Sequence, residues 1–163
     1  TGLAPAAAAV ALGMMAWGVR SASFHLNYSD YPLAALEWLR ENRSGGRLLV
    51  DYNAGSFALW RLYPRFQVSL DGRYEELYPE ETLSVVNAAL DPDREGHAEA
   101  LELVQPDYIL LGRNMRAFGR PGSFGDRWRL LYHDGTYLLL GEQGNPMGVT
   151  GLAPERIAPI WQP

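Results

Sequence analysis

The 163-residue chain has no cysteine and no lysine. Lack of cysteine rules out disulfides, thiolate zinc sites and a cysteine nucleophile, and leaves the redox compartment unread. Lack of lysine rules out a P-loop lysine, a Schiff-base lysine and a Ser–Lys dyad. Histidine is scarce too. His25, His97 and His133 stand apart, and none has metal-ligand spacing such as H-E-x-x-H, so surface or turn positions are the ordinary reading. Net charge is −5 with no basic stripe, which argues against a nucleic-acid module. Ser56 in NAGSF and Ser123 in PGSFG do not match the nucleophile elbow G-x-S-x-G. Gly119, Gly122 and Gly125 are evenly spaced but lack the strand–glycine–helix setting of a phosphate loop. No cofactor motif and no internal repeat is present.

What remains is the composition of one ordinary domain, 47% hydrophobic and long enough to bury a core. The chain opens at Thr1 without an initiator methionine, as a fragment or processed product would. Residues 1–19 carry no ionisable side chain. As a helix they would span roughly 28 Å at ~1.5 Å per residue, close to a hydrocarbon core of ~30 Å. Trp17 and Arg20 would suit an interface. The leading expectation is a transmembrane helix over 1–20. Two alternatives stand beside it: the apolar part of a signal peptide lacking its basic leader, and a buried alanine-rich helix.

Residues 21–142 read as a soluble α/β domain, and 143–163 as an irregular Gly/Pro-rich tail. Asp30 is placed to cap a helix with Pro32 in its first turn and Leu33, Leu36 and Leu39 on one face. Leu48-Leu49-Val50 is a short apolar run of the kind a doubly buried strand shows. Asn53-Ala54-Gly55-Ser56 reads as a turn, and residues 57–62 as a short helix ended by Tyr63-Pro64. Residues 66–70 alternate as a second strand. Glu80 and Glu81 open a further helix, with Leu83, Val86 and Leu90 as its buried stripe. Asp91-Pro92 ends it and caps the next helix, which runs to about Val104 with Gly96 as a weak point. Residues 108–111 form a third buried strand. A loop rich in Gly and Arg follows, then two strands, 128–132 and 136–140, around the hairpin signal Asp134-Gly135. The helical connections imply three parallel strands, and the end of the sheet should be antiparallel. The expected fold is therefore a mixed α/β sheet flanked by helices and preceded by the transmembrane helix.

If the first two strands are parallel, Asp51, Asn53, Asp71 and Arg73 gather at their carboxyl ends, the edge where open α/β sheets bind ligands. Tyr74 follows directly. These five are the candidate binding residues. They could hold a charged or sugar-like ligand through a carboxylate and a guanidinium fork. The structural alternative is a turn locked by an Arg–Asp pair. Asp51 with Asp71 as a hard-metal site is a weaker signal. Arg113, Arg116 and Arg120 suit either phosphate groups at a membrane surface or a solvated loop.

The order of elements, with YPxxALxWLREN, GRLLVDYNAGSFALWRLYP, FQVSLDGRYEELYP, PDYILLG and WRLLYHDGTYLLL, resembles the C-terminal soluble domain of polytopic bacterial membrane proteins of the GT-C-type glycosyltransferase-like family. The resemblance implies a parent that moves a sugar from a polyprenyl-phosphate donor to a glycan acceptor at the outer face of the cell membrane. Its partners would be membrane lipid and those two substrates. The family's catalytic acid lies in an early loop with no counterpart here, so no catalytic residue is carried over. The chain would then be an extracytoplasmic accessory or acceptor-binding domain. The rivals are a membrane-tethered α/β binding or interaction module without enzymatic activity, and a free α/β enzyme using the edge acids.

Overall fold

The computed structural model describes residues 13–14, 30–73 and 78–144. Among these residues the α-helices and strands follow in the order α1 (Leu33–Asn42), β1 (Gly46–Leu49), α2 (Tyr52–Leu62), β2 (Phe66–Val68), α3 (Glu80–Leu90), α4 (His97–Val104), β3 (Tyr108–Gly112), β4 (Trp128–His133) and β5 (Tyr137–Glu142). The strands form one sheet in the order β2-β1-β3-β5-β4. β1 runs parallel to both β2 and β3, while β5 is antiparallel to β3 and β4. The mixed sheet is thus as the apolar runs and the Asp-Gly hairpin signal imply.

Each face of the sheet has its own core. Leu48, Val50, Phe66, Val68, Tyr108, Leu110 and Leu139 pack with Ala35, Leu36 and Leu39 of α1 and Ala54, Ala58 and Leu62 of α2. Leu49, Ile109, Leu111, Leu138 and Leu140 pack on the other face with α3 and α4. Alternate residues of each strand therefore enter opposite layers, and both layers are apolar. That explains the continuous apolar runs in β1 and β3.

Several local expectations change. α2 begins at Tyr52, five residues before the expected helix. The Asp51 carboxylate caps it by accepting a hydrogen bond from the Ala54 amide at 2.9 Å. Gly55 belongs to the first turns of the helix: a Cβ there would lie 1.8 Å from the Leu70 carbonyl oxygen. This glycine serves close approach of helix to strand, not a turn. β2 ends at Val68. Beyond it the buried Ser69 hydroxyl donates to the Val50 carbonyl at 2.8 Å and accepts from the Val50 amide at 2.9 Å, extending the β1–β2 join by side chain. α1 starts at Leu33 with Pro32 in the cap position and no side-chain cap, so Asp30 does not cap it. Asp91 to Gly96 is not helical; Gly96, at φ 80°, precedes α4. The Gly/Arg loop after β3 carries two 3-10 turns, Arg116–Gly119 and Pro121–Phe124, which bury Ala117 and Phe124.

The transmembrane helix and the membrane localisation drawn from it are corrected. Among the described residues no helix is long and apolar enough to cross a membrane. The longest, α2 and α3, have 11 residues each, or roughly 16 Å of rise at ~1.5 Å per residue, about half a hydrocarbon core of ~30 Å. The span expected over 1–20 lies outside the described residues apart from Gly13 and Met14, and the 143–163 tail apart from Gln143 and Gly144.

Candidate functional site

The carboxyl ends of the three parallel strands lie along one edge of the sheet. From β1 the chain leaves for the α1–α2 face; from β3 it leaves through the 3-10 turns packed on the α3–α4 face. A crevice opens where neighbouring strands send their continuations to opposite faces. Here Asp30, Asn53, Gly112, Arg113, Asn114, Thr136 and Tyr137 line a cleft of about 250 Å³. Asn53 is on the first turn of α2, as the Asp51 cap dictates. Arg113 and Asn114 follow β3 directly, and the Arg113 amide donates to the Thr136 carbonyl at 2.8 Å. Asn114 is held close over Gly112, where a Cβ would sit 2.7 Å from its Oδ1.

The far wall is the β4–β5 turn. Asp134 accepts hydrogen bonds from the amides of Thr136 at 2.9 Å and Tyr137 at 2.8 Å. Burial raises the Asp134 carboxyl, but these amide bonds and the Tyr132 hydroxyl hold it below the ordinary carboxylate range. The Tyr137 hydroxyl donates to the Asp30 carbonyl at 2.8 Å, tying the segment before α1 to the crevice. Burial raises the Tyr137 phenol, and the negative charges of Asp51, Asp30 and Asp134 raise it further against Arg113. The Asp51 charge thus acts on one wall of the crevice, although its carboxylate is not among the groups that line the cleft. The Asp30 carboxylate and the Arg113 guanidinium face each other at 3.9 Å, both well exposed. Such a pair is loose and free to turn toward a ligand.

Asp71 and Arg73 form a second, closed unit on the same edge. The Arg73 Nε lies 3.1 Å from both Asp71 carboxylate oxygens and Nη2 lies 2.6 Å from Oδ2. The Arg73 amide adds a fourth bond to Oδ1 at 2.9 Å. Asp71 is 2% exposed, while half of the Arg73 side chain is open to solvent. Burial pushes the Asp71 carboxyl up, but the bonds and charge of Arg73 outweigh it and hold it below the usual range. The neighbouring Tyr78 phenol is pushed up to about 12, by burial first and then by the Asp71 charge. The Ser56 hydroxyl of α2 accepts from the Gly72 amide at 2.6 Å, docking this turn on the helix.

Of the five candidates, the structure thus sets Asn53 in the crevice, Asp51 beside it as the cap of α2, and Asp71 with Arg73 in the locked turn. Tyr74 lies outside the described residues. Reading from the sequence missed Asn114, Thr136 and Tyr137 as crevice residues, and gave Asp30 and Arg113 other tasks. The signal was available for two of them: Arg113 and Asn114 follow the third parallel strand as Asp51 follows the first. Among the described residues no group of three ligating side chains is assembled for a metal ion. His97 instead places Nδ1 3.0 Å from the Ala88 carbonyl and its ring against Phe124. Arg120 pairs with Asp93 at 2.5 Å, a surface contact of loop and helix connection.

Comparison with protein-family models, curated proteins and solved structures finds no match. The glycosyltransferase-like resemblance gains nothing from these comparisons and is set aside.

Proposed function

We propose that the chain is an α/β binding module, without catalysis of its own, that holds a small polar ligand in the crevice between β1 and β3. The observation that carries this is the convergence of three distant segments there: Asn53 from α2, Arg113 and Asn114 after β3, and Thr136 with Tyr137 from the hairpin. Pockets with a few convergent polar groups at a switch point are where such folds take ligands.

The chemistry favours neutral polar or cationic ligands over anions. Two amides and the Arg113 guanidinium supply hydrogen bonds, the Asp30 carboxylate lines the cleft, and the charges of Asp51 and Asp134 act on its Tyr137 wall. A multiply hydroxylated molecule such as a sugar matches donors and acceptors of both kinds. The test is a titration of the isotope-labelled chain with a neutral sugar panel, a quaternary ammonium and inorganic anions. Amide shifts at 51–54, 112–114 and 134–137 with neutral or cationic probes, lost in Asn53→Ala and Asn114→Ala, support the module. Movement there with anions only would overturn the assignment.

A further inference from the structure

The opposite edge of the sheet holds a second cleft of different character. We propose that it binds a tetrahedral oxyanion, the phosphate or sulfate group of a small molecule, between Arg43, Arg129 and the hydroxyl of Tyr108.

The sheet register builds this cleft. Tyr108 of β3 pairs with Gly141 of β5, and Gly141 pairs with Arg129 of β4. Directly paired residues project from the same face, so Tyr108 and Arg129 flank a position with no side chain. Leu131 leans over that position, its Cδ1 2.4 Å from where a Cβ at Gly141 would lie, and forms the apolar floor between the two side chains. Arg43, just after α1, closes the space from the helical layer, giving a cleft of about 250 Å³.

Three observations point to an anion. Tyr108 is 1% exposed, and its hydroxyl finds no acceptor; the neighbour that acts on it is the Arg43 guanidinium, itself a donor. A buried hydroxyl left unmatched is costly, and a ligand acceptor would satisfy it. Second, among the described residues neither Arg43 nor Arg129 is in a salt bridge. Arg43 lies with its guanidinium carbon 5.3 Å from the Trp38 ring centre and donates to the neighbouring Asn42 carbonyl at 2.8 Å, so it keeps further donors. With the Gln143 amide turned so that its oxygen faces the arginine, Arg129 Nη2 donates to it at 2.8 Å. Third, the one carboxylate among the lining residues, Glu142, has its own ion-pair partner in Arg127, 3.5 Å away. Two guanidinium groups and a phenol, from three separate elements, can each donate to a different oxygen, and a tetrahedral oxyanion has more oxygens to receive them than a carboxylate. The inference does not depend on the crevice at the other edge.

Titration calorimetry of the full chain with inorganic phosphate, sulfate and acetate tests it. Phosphate and sulfate should bind saturably, more tightly than acetate, and raise the melting temperature with concentration. Arg43→Gln and Arg129→Gln should each weaken phosphate binding by roughly tenfold, the scale of one charge-assisted hydrogen bond. Tyr108→Phe should weaken it less, while leaving the anion-free melting temperature unchanged or higher, because it removes an unmatched buried hydroxyl. A tyrosine needed only for packing contacts would show no change in phosphate affinity. Absence of saturable phosphate binding, equal binding of acetate, or indifference to both arginine substitutions would overturn the proposal.

Discussion

Asp51 and Asp71 stand at matching places, just beyond the carboxyl ends of two adjacent parallel strands, yet they end in opposite circumstances. Asp51 remains half-buried, spends one oxygen on the cap of α2 and lends its charge to the crevice. Asp71 is buried and has both oxygens held by Arg73. The two or three residues after each acid make the difference. After Asp51 comes a helix, whose free amides take a carboxylate oxygen. After Asp71 comes Gly72-Arg73, a tight turn that brings a guanidinium back onto its own carboxylate. A shared sheet edge therefore does not make a shared site: one acid contributes to an open polar cleft and the other locks a turn.

The largest effect that would break this comparison comes from the contact joining the two acids' segments. Gly55→Ala places a Cβ against the Leu70 carbonyl, and backbone cannot yield there as a side-chain tip can. We expect a loss of roughly 3 kcal/mol or more, from forced separation of α2 and the strand end, read by chemical denaturation. Stability close to the parent would show that α2 docks less closely on Leu70 and Asp71 than described.

Arg73→Ala comes next. It strands a buried carboxylate, but the arginine is half exposed, so the cost should fall between those of surface and buried pairs, at roughly 2 kcal/mol. The same variant should alter the acid limb of stability. The Asp71 carboxyl is held low in the folded chain, so its contribution is full above the unfolded value near ~4 and is lost as pH falls through the folded value. Without Arg73, burial is left to raise the carboxyl, and the acid limb should move to higher pH. At the alkaline end the sign reverses. The Tyr78 phenol is raised to about 12, so its contribution is full below the unfolded value near ~10 and is lost as pH climbs toward the folded one. Tyr78→Phe should flatten that alkaline limb in a melting-temperature profile.

Asp51→Ala should cost less, about 1 kcal/mol for a lost cap, measured by the same denaturation. It should also lower the Tyr137 phenol by removing one of the charges that raise it, which a spectrophotometric tyrosine titration reads. A cost as large as that of Arg73→Ala would erase the distinction between the two acids. Smallest of all, Asn114→Ala should change stability by no more than ~0.5 kcal/mol, as for an exposed position outside core and caps, so any loss of ligand binding belongs to the crevice.

Much of this sheet is legible in the chain. The apolar runs at Leu48–Leu49 and Tyr108–Leu111 and the Asp134-Gly135 signal each report a local cause, burial on both faces or a turn geometry. α2 was harder, because Asn53-Ala54-Gly55-Ser56 has the composition of a turn. Its glycine answers to the Leu70 carbonyl and its serine to the Gly72 amide, both contacts made across the fold. The crevice was harder still. Asn53, Asn114 and Tyr137 are brought together only by the strand order β1-β3-β5, which no local pattern specifies. The missing acceptor for the Tyr108 hydroxyl is likewise invisible until the register sets Gly141 beside it.

The claim on which the functional account rests is that the open crevice, and not the locked turn, takes the ligand. Amide shift mapping of the labelled chain with neutral sugars and a quaternary ammonium tests it most directly. The account predicts that resonances of 51–54, 112–114 and 134–137 move together in a saturable way, while Gly72 and Arg73 stay in place. Saturable movement centred on Gly72 and Arg73, with the crevice unmoved, would contradict it.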